Sequence, residues 1–562
     1  MSLRAPRGGL PAVQAPAASS PPSPLATGAP LTQPPRRRIS TAALVSATLV
    51  FALALVANGF RHALAPDIHV DELIYANVGQ NLAAGKGLSV QGQPFFWQPP
   101  LFFIVEWPIA KIFGLAGVGT FDATLQLRLL NGGIGALTAA GIFALGWRLR
   151  GWWTAWAMAL LFLTDPFVVR VVRRLYIEPF AALWILAALW LCHASMGRWT
   201  WRRRIAAGVL FGLAILSKEL AAYALVVPII LWLRREVSWR EPLAIAGAAA
   251  ATYALYPLWA IAVGQRAYFI SLKRFQYDHL VGVFHFNGFN RPGTSFVQAL
   301  ADNAGDYWTS YVCIGLAVPA TAWLWFRGDR TGRFLAAWSA ASFGLVAALA
   351  KFGSLEDQFF YFLMLPVLGV LGYVFSFALP RLVRAVRDAW RSRDAPGLVS
   401  AVNAALVALV IALAVLRPNL QVWVLRFGTG QDHGYTDLLA SIDCNVPAGQ
   451  TIDSPGGSSE ELRFAYPDGR YNLIRAVDPR QLRNDHIRWF VLRSKDINLV
   501  NGIDQRYYDW LTSHATPVWL VNEHTFDDFG LWYIADPASL PDYPYTLPPP
   551  KPGAPLPQPP KT

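Results

Sequence analysis

Apolar runs close to 20 residues long recur along this chain, and short arginine clusters separate them. This alternation constrains the fold more than any motif does, because about 20 apolar residues is the length of a helix through a bilayer core. The composition agrees: 54% of the 562 residues are hydrophobic and only 15% are charged, with 23 Trp and 33 Phe. A soluble chain of this length is not that apolar. The net charge of +13 would raise nucleic acid as a partner in a soluble protein. Here the arginines lie between the apolar runs, where they orient helices in a membrane. No nucleic-acid recognition motif accompanies them, so a nucleic-acid partner is excluded. Of the three cysteines, Cys192 and Cys313 sit in apolar runs and Cys444 stands alone near the C-terminus. Neither a disulfide framework nor a zinc spacing results.

Taken in order, residues 1–38 are rich in Pro, Ala and Ser and end in Arg36-Arg37-Arg38, which reads as a disordered tail. Residues 41–60 form the first expected transmembrane helix, its N-terminus held inside by those arginines. The segment 98–114 contains Pro99-Pro100, Glu106, Pro108 and Lys111. That is poor material for a lipid-facing span, so an interfacial helix on the outer side is expected. The remaining spans then fall at 129–147, 152–169, 179–195, 205–217, 221–233, 243–263, 307–326, 334–350, 359–379 and 398–416. With this assignment every dense Arg cluster lands on one side. Counting 98–114 as a span would scatter them.

The expected fold is a polytopic α-helical membrane protein with about 11 transmembrane helices. The domains read as a cytoplasmic tail at 1–38, a membrane domain at 39–416 with an outer loop at 61–128, an extracytoplasmic part at 417–540 and a Pro-rich tail at 541–562. The 417–540 part alternates β-rich apolar runs, such as Trp489-Phe490-Val491-Leu492, with polar helical stretches. It reads as a small α/β domain. Richness in Ala, Arg and Trp with few Lys points to a high-GC bacterium, which makes the membrane a bacterial plasma membrane.

Chemistry-bearing residues concentrate on the expected outer side. Asp67, His69, Asp71 and Glu72 lie within six residues where the chain leaves the first span. On a helix starting near Val70, Asp71, Tyr75 and Val78 share a face and Glu72 lies about 100° round from Asp71. One reading is an acidic first helical turn with its cap. Another is a catalytic carboxylate. A third is a metal site, with Asp67, His69 and Asp71 at alternate positions of an extended segment. Glu178 closes the outer loop that holds Arg170, Arg173, Arg174 and Tyr176. It reads either as a surface partner of Arg173 or Arg174 or as a functional acid near membrane depth. Arg128, Lys218 and Lys351 are cations on the side where orientation signals do not belong. They either reach lipid headgroups or bind a phosphate. Lys273 and Arg274, followed by Tyr277-Asp278-His279, are placed to join the same pocket.

One mechanism uses these parts economically. A sugar on a polyprenyl phosphate carries its own good leaving group, so no general acid is needed. The enzyme supplies a carboxylate to take the acceptor's hydroxyl proton and cations to hold the departing phosphate. Single displacement would invert the anomeric centre.

At these residues the chain resembles the GT-C membrane glycosyltransferases related to protein O-mannosyltransferases and the aminoarabinose transferase of lipid A. The matching pieces are Asp71-Glu72 followed by Tyr75-Ala76 and Gly85-Lys86-Gly87, then Pro99-Pro100-Leu101 and Arg128-Leu129. Arg174-Leu175-Tyr176-Ile177-Glu178 and Leu216-Ser217-Lys218 follow in order. The likeness is good over residues 41–240, topological from 241 to 416 and loose beyond. It implies the GT-C fold, a lipid-phosphate sugar donor, a hydroxyl acceptor and catalysis at the outer face. It also implies Asp71 as base or orienting acid and Glu178 as the second acid, with a divalent metal an open question at those two residues. Many relatives carry His or Lys before Pro-Pro-Leu. This chain has Gln98 there, so a cationic contact must come from elsewhere. The alternative function is a transporter or lipid flippase, for which internal repeats and mid-membrane charges are expected. No convincing repeat is present.

Overall fold

Long apolar stretches settle as helices because a bilayer offers no other partner for backbone N–H and C=O groups. The structure, a computed structural model, describes residues 40–59, 68–281, 295–392, 434–454, 459–475, 478–493, 505–521 and 529–544, with residue 289 and scattered positions between 399 and 421. The expected tail at 1–38, Asp67, most of the expected span at 398–416 and residues from 545 onward lie outside the described residues.

Helix α1 (Thr41–Gly59) leads to a segment, expected on the outer side, which folds as helix α2 (Val70–Ala83), the hairpin β1 (Ser89–Val90) and β2 (Gln93–Pro94), and helix α3 (Leu101–Ile112). The start of α2 is a capping box: the His69 ring accepts from the Asp71 N–H at 3.3 Å, and the Glu72 carboxylate accepts from the His69 N–H at 3.1 Å. Its end is fixed by Gly85, whose φ of 75° lets Lys86 N–H reach the Asn81 carbonyl at 2.8 Å. Helix α3 has 12 residues with Pro108 inside. At 1.5 Å per residue it is about 18 Å long, too short to cross a bilayer core.

The membrane bundle continues with α4 (Thr120–Arg150), α5 (Trp152–Thr164), α6 (Pro166–Val172), α7 (Glu178–Ser195), α8 (Trp201–Ser217), α9 (Val226–Leu233), α10 (Arg240–Tyr253), α11 (Leu255–Ala262) and α12 (Arg266–Leu280). It closes with α13 (Phe296–Asp302), α14 (Ala304–Arg327), α15 (Arg330–Phe352) and α16 (Phe360–Ser392). Seven helical segments among the described residues are long and apolar enough to span, or eight if α5 and α6, bent by 67°, make one. The expected spans at 205–217 and 221–233 are shorter apolar stretches, parts of α8 and of Glu219–Leu233. The chain is a multi-span helical membrane protein.

Helices α8 and α10 pack closely because Gly208 and Gly212 leave room. A Cβ on Gly212 would stand 2.4 Å from Thr252 Cβ, and one on Gly208 2.5 Å from Ala248 Cβ. Gly212→Val should therefore pry the two helices apart, with an expected cost of about 1–3 kcal/mol. Thermal unfolding in detergent measures it, and an unchanged midpoint would show that the contact is not tight. At the end of the bundle where α8 and α10 begin, Arg204 pairs with Glu241 at 2.8 Å. Arg333 pairs with Glu236 at 2.5 Å, and Arg150 approaches Asp329 at 3.7 Å.

The C-terminal part forms a five-stranded mixed sheet from β3 (Thr451–Asp453), β4 (Asn472–Ile474), β5 (Trp489–Arg493), β6 (Thr516–Val521) and β7 (Phe529–Tyr533), in the order β4-β3-β5-β7-β6. β3 is parallel to β4 and β5, whereas β7 is antiparallel to both its neighbours. Ile68 and Leu73, at the start of α2, share a core with Tyr435, Leu438, Ile442, Ile452, Leu462, Val491 and Leu531. The opposite face of α2 contributes Tyr75 and Val78 to a cluster with Phe102, Phe103 and Leu127.

Candidate active site

Four segments far apart in sequence meet around the first turn of α2. Glu72 is fully buried, and its carboxylate accepts from Arg128 Nε and Nη2 at 2.8 Å each, from the Leu175 N–H at 2.8 Å and from the His69 N–H at 3.1 Å. Burial pushes its carboxyl up, but Arg128 outweighs that and holds it below the usual glutamate value. This residue ties α2 to α4 and to the loop ahead of α7, with all its acceptor directions used. The loop is pinned further by Asn131, whose amide donates to the carbonyls of Arg174 and Tyr176. Arg174 in turn donates to the Tyr176 hydroxyl at 2.9 Å.

Asp71 is the neighbour with a different environment. It keeps 29% of its side-chain surface, and its nearest ionisable partner is the His69 ring at 3.8 Å. Burial pushes the Asp71 carboxyl up, and Glu356 adds to this against the pull of His69 and Lys218. Tyr75, one turn along, is buried, which together with Asp71, Glu178 and Glu356 nearby keeps its hydroxyl protonated.

Glu178 opens α7, and its carboxylate lies 3.0 Å from Lys218 Nζ at the end of α8. Its partner is thus Lys218 rather than Arg173 or Arg174. Burial alone would lower the Lys218 ammonium, but Glu178 and Glu356 hold it above the usual lysine value. Lys218 also sits 5.6 Å from the ring centroid of Phe359. Among the described residues, then, Glu178 pairs directly with this lysine, and Glu356 and Asp71 act on it electrostatically. Arg170 joins the rim, donating to the Tyr307 hydroxyl and pairing with Asp357 at 3.1 Å.

A second cluster lies beside it. Lys273 pairs with Glu219 at 2.9 Å and reaches the Trp97 carbonyl at 3.4 Å, while the carbonyl of Gln98 accepts from the Tyr256 hydroxyl at 3.1 Å. Arg274 is exposed on α12, and Lys351 is exposed with its ammonium 5.0 Å from the ring of Phe352. Neither forms one of the ion pairs of the two clusters.

Two acids escaped sequence reasoning: Glu356, which approaches His279 at 3.8 Å, and Glu219. The signal for Glu356 was present, since the criterion that selects Glu178 (an acid between two apolar runs on the expected outer side) selects it equally. A metal at Asp71 and Glu178 does not fit the residues. Lys218 already matches Glu178, and among the described residues no three His, Cys, Asp or Glu side chains converge.

Residues 98–261 match the family model of dolichyl-phosphate-mannose-protein mannosyltransferases, a segment that includes Arg128, Glu178 and Lys218. No curated protein matches the chain significantly in sequence. Among solved structures, the Archaeoglobus fulgidus oligosaccharyltransferase tethered with an acceptor peptide is similar at 12% identity. The match covers 81% of this chain and 69% of that one, with a TM-score of 0.51. The same organism's AglB in complex with an inhibitory peptide and a dolichol-phosphate gives 12%, 80%, 70% and 0.50. ArnT from Cupriavidus metallidurans bound to undecaprenyl phosphate gives 14%, 88%, 98% and 0.49. The likeness is one of fold, that of GT-C membrane glycosyltransferases, and the family match favours a transferase over a transporter.

Proposed function

We propose that this chain moves a sugar from a polyprenyl-phosphate donor to a hydroxyl acceptor at the extracytoplasmic face of a bacterial plasma membrane, by a single inverting displacement. The observation that carries the reading is the unequal treatment of neighbouring acids. Glu72 is locked between Arg128 and backbone N–H groups, whereas Asp71 is part-exposed and, among the described residues, has no cation within hydrogen-bonding distance. Asp71 takes the acceptor proton as the sugar's anomeric carbon leaves the phosphate. Lys218, held by Glu178, offers its ammonium to the leaving phosphate, and Arg174 lies on the loop beside it. Lys273 lies next to the Trp97–Gln98 carbonyls, where the cation missing from position 98 would be needed. The acids and Lys218 lie at the bundle end opposite the Arg204, Arg333 and Arg150 pairs. That separation supports a topology of about 11 spans with the arginine clusters inside and the 417–540 domain outside.

The test is donor turnover in proteoliposomes with undecaprenyl-phosphate sugars carrying labelled mannose, arabinose or glucose. Release of undecaprenyl phosphate with label transferred to acceptor is the expected result. Movement of intact donor across the bilayer without cleavage would instead select the flippase. The pH profile gives an independent check. A base works only when ionised, and burial raises the Asp71 carboxyl. Turnover should therefore fall on acidification through a value above that of an ordinary aspartate. An acid limb at or below about 3.9, the ordinary value, would remove Asp71 as the base.

A further inference from the structure

The side of α2 turned away from Asp71 faces a cavity of about 960 Å³ between the α2–hairpin segment and the C-terminal part. At 100° per residue, Asn77 lies about 120° round α2 from Asp71 and about 9 Å further along the axis, and Gln80 lies about 180° round. One wall carries Asn77 of α2 with Lys86 and Gln91 of the hairpin segment, and the other carries Arg463, Tyr466 and Tyr471.

Both walls are held in place before anything binds. Asn77 Oδ1 accepts from the Gln91 N–H at 3.0 Å and from Asn81 Nδ2 at 3.2 Å, and Asn81 Nδ2 also donates to the Ser89 carbonyl at 2.9 Å. The hydroxyls of Tyr466 and Tyr471 donate to the carbonyls of Leu439 and Val446, each at 3.3 Å. Among the described residues that line the cavity, Lys86 and Arg463 are the only formally charged ones. Both cations are exposed, and neither has an ion-pair partner among the described residues.

Two exposed cations amid side-chain amides and tyrosines match a ligand that carries both hydroxyls and negative charge. The volume lies near the top of the usual range for ligand clefts, about 300–1,000 Å³, which accommodates more than one sugar ring. We infer that this groove binds an anionic oligosaccharide, as a docking site for the body of the acceptor chain. The inference rests on the transferase reading above and names the acceptor class for it. Lys86 and Arg463 contact carboxylate or phosphate groups of the chain, and the amide wall hydrogen-bonds its hydroxyls.

The experiment measures binding of fluorescent oligogalacturonate to the full-length protein in nanodiscs, without donor. The wild type should bind it at least about tenfold tighter than a neutral malto-oligosaccharide of equal length, with affinity falling as salt rises. Lys86→Glu with Arg463→Glu should remove that preference, and both sites are exposed enough for the variant to keep its unfolding midpoint. Equal binding of the neutral chain, or an unchanged preference in the double variant, overturns the inference. So does a polyglutamate peptide that binds as tightly and with the same sensitivity to the variant, since it assigns the groove to acidic peptides. Because binding is read without turnover, failure of the donor assay leaves this result standing, and failure here leaves donor cleavage untouched.

Discussion

Asp71→Asn is expected to lower sugar transfer by about 100- to 10,000-fold, the usual contribution of a general base, while the protein still inserts and unfolds at its normal temperature. The substitution keeps the size of the side chain and removes only the basic oxygen. It spares the cap of α2, because the contact there is made by the Asp71 backbone N–H to the His69 ring and not by the carboxylate. It also relieves the cost of holding a charge at a site where burial disfavours one. Donor affinity should change little, so the loss belongs in kcat. Glu178→Gln should behave differently. Lys218 would lose its anchor at 3.0 Å, and the defect should include weaker donor binding. Full turnover by both variants in proteoliposomes would end the mechanism.

The second large effect falls on stability. Glu72 and Arg128 are both buried with no exposed side-chain surface, joined at 2.8 Å. Removing one partner leaves the other charge stranded, at an expected cost of about 3–5 kcal/mol. Glu72→Gln and Arg128→Met should each lower the unfolding temperature in detergent and reduce the yield of inserted protein. The double variant should recover part of the loss, because a buried pair replaced on both sides strands nothing. Additive losses in the cycle, or single variants within about 0.5 kcal/mol of the wild type, would show that the pair is not coupled. The folded-state carboxyl of Glu72 lies below its usual value. Its stabilisation is therefore present above the ordinary glutamate range and lost as pH falls through the lowered value.

The elements that a bilayer dictates were readable from the chain. Apolar run length located the seven helical segments long enough to span, and the prolines at 99, 100 and 108 kept α3 out of their number. Within the site, residue type identified Asp71, Glu178 and Lys218 as belonging to one face. Pairing was not readable, because it depends on contacts across 40 to 138 residues. Arg128 belongs to Glu72, and Lys218 to Glu178. The adjacent acids at 71 and 72 look alike in sequence, yet a 100° turn of α2 directs one into a cage of donors and leaves the other part-exposed. Glu356 was equally visible as an acid between apolar runs, but only the packing of α15 and α16 brings it to Lys218.

The core that Ile68 and Leu73 share with Tyr435, Ile452 and Leu531 has a consequence for biogenesis. A ribosome makes α2 more than 350 residues before it makes the partners of that face. Throughout synthesis of the bundle, this face of α2 must wait with apolar surface uncovered, a state that invites misassembly. Only when the last strands arrive can this face of α2 be covered, although Glu72 already ties the helix to α4 and to the loop ahead of α7. A chain released early would hold the described membrane helices and still leave that face of α2 without its partners.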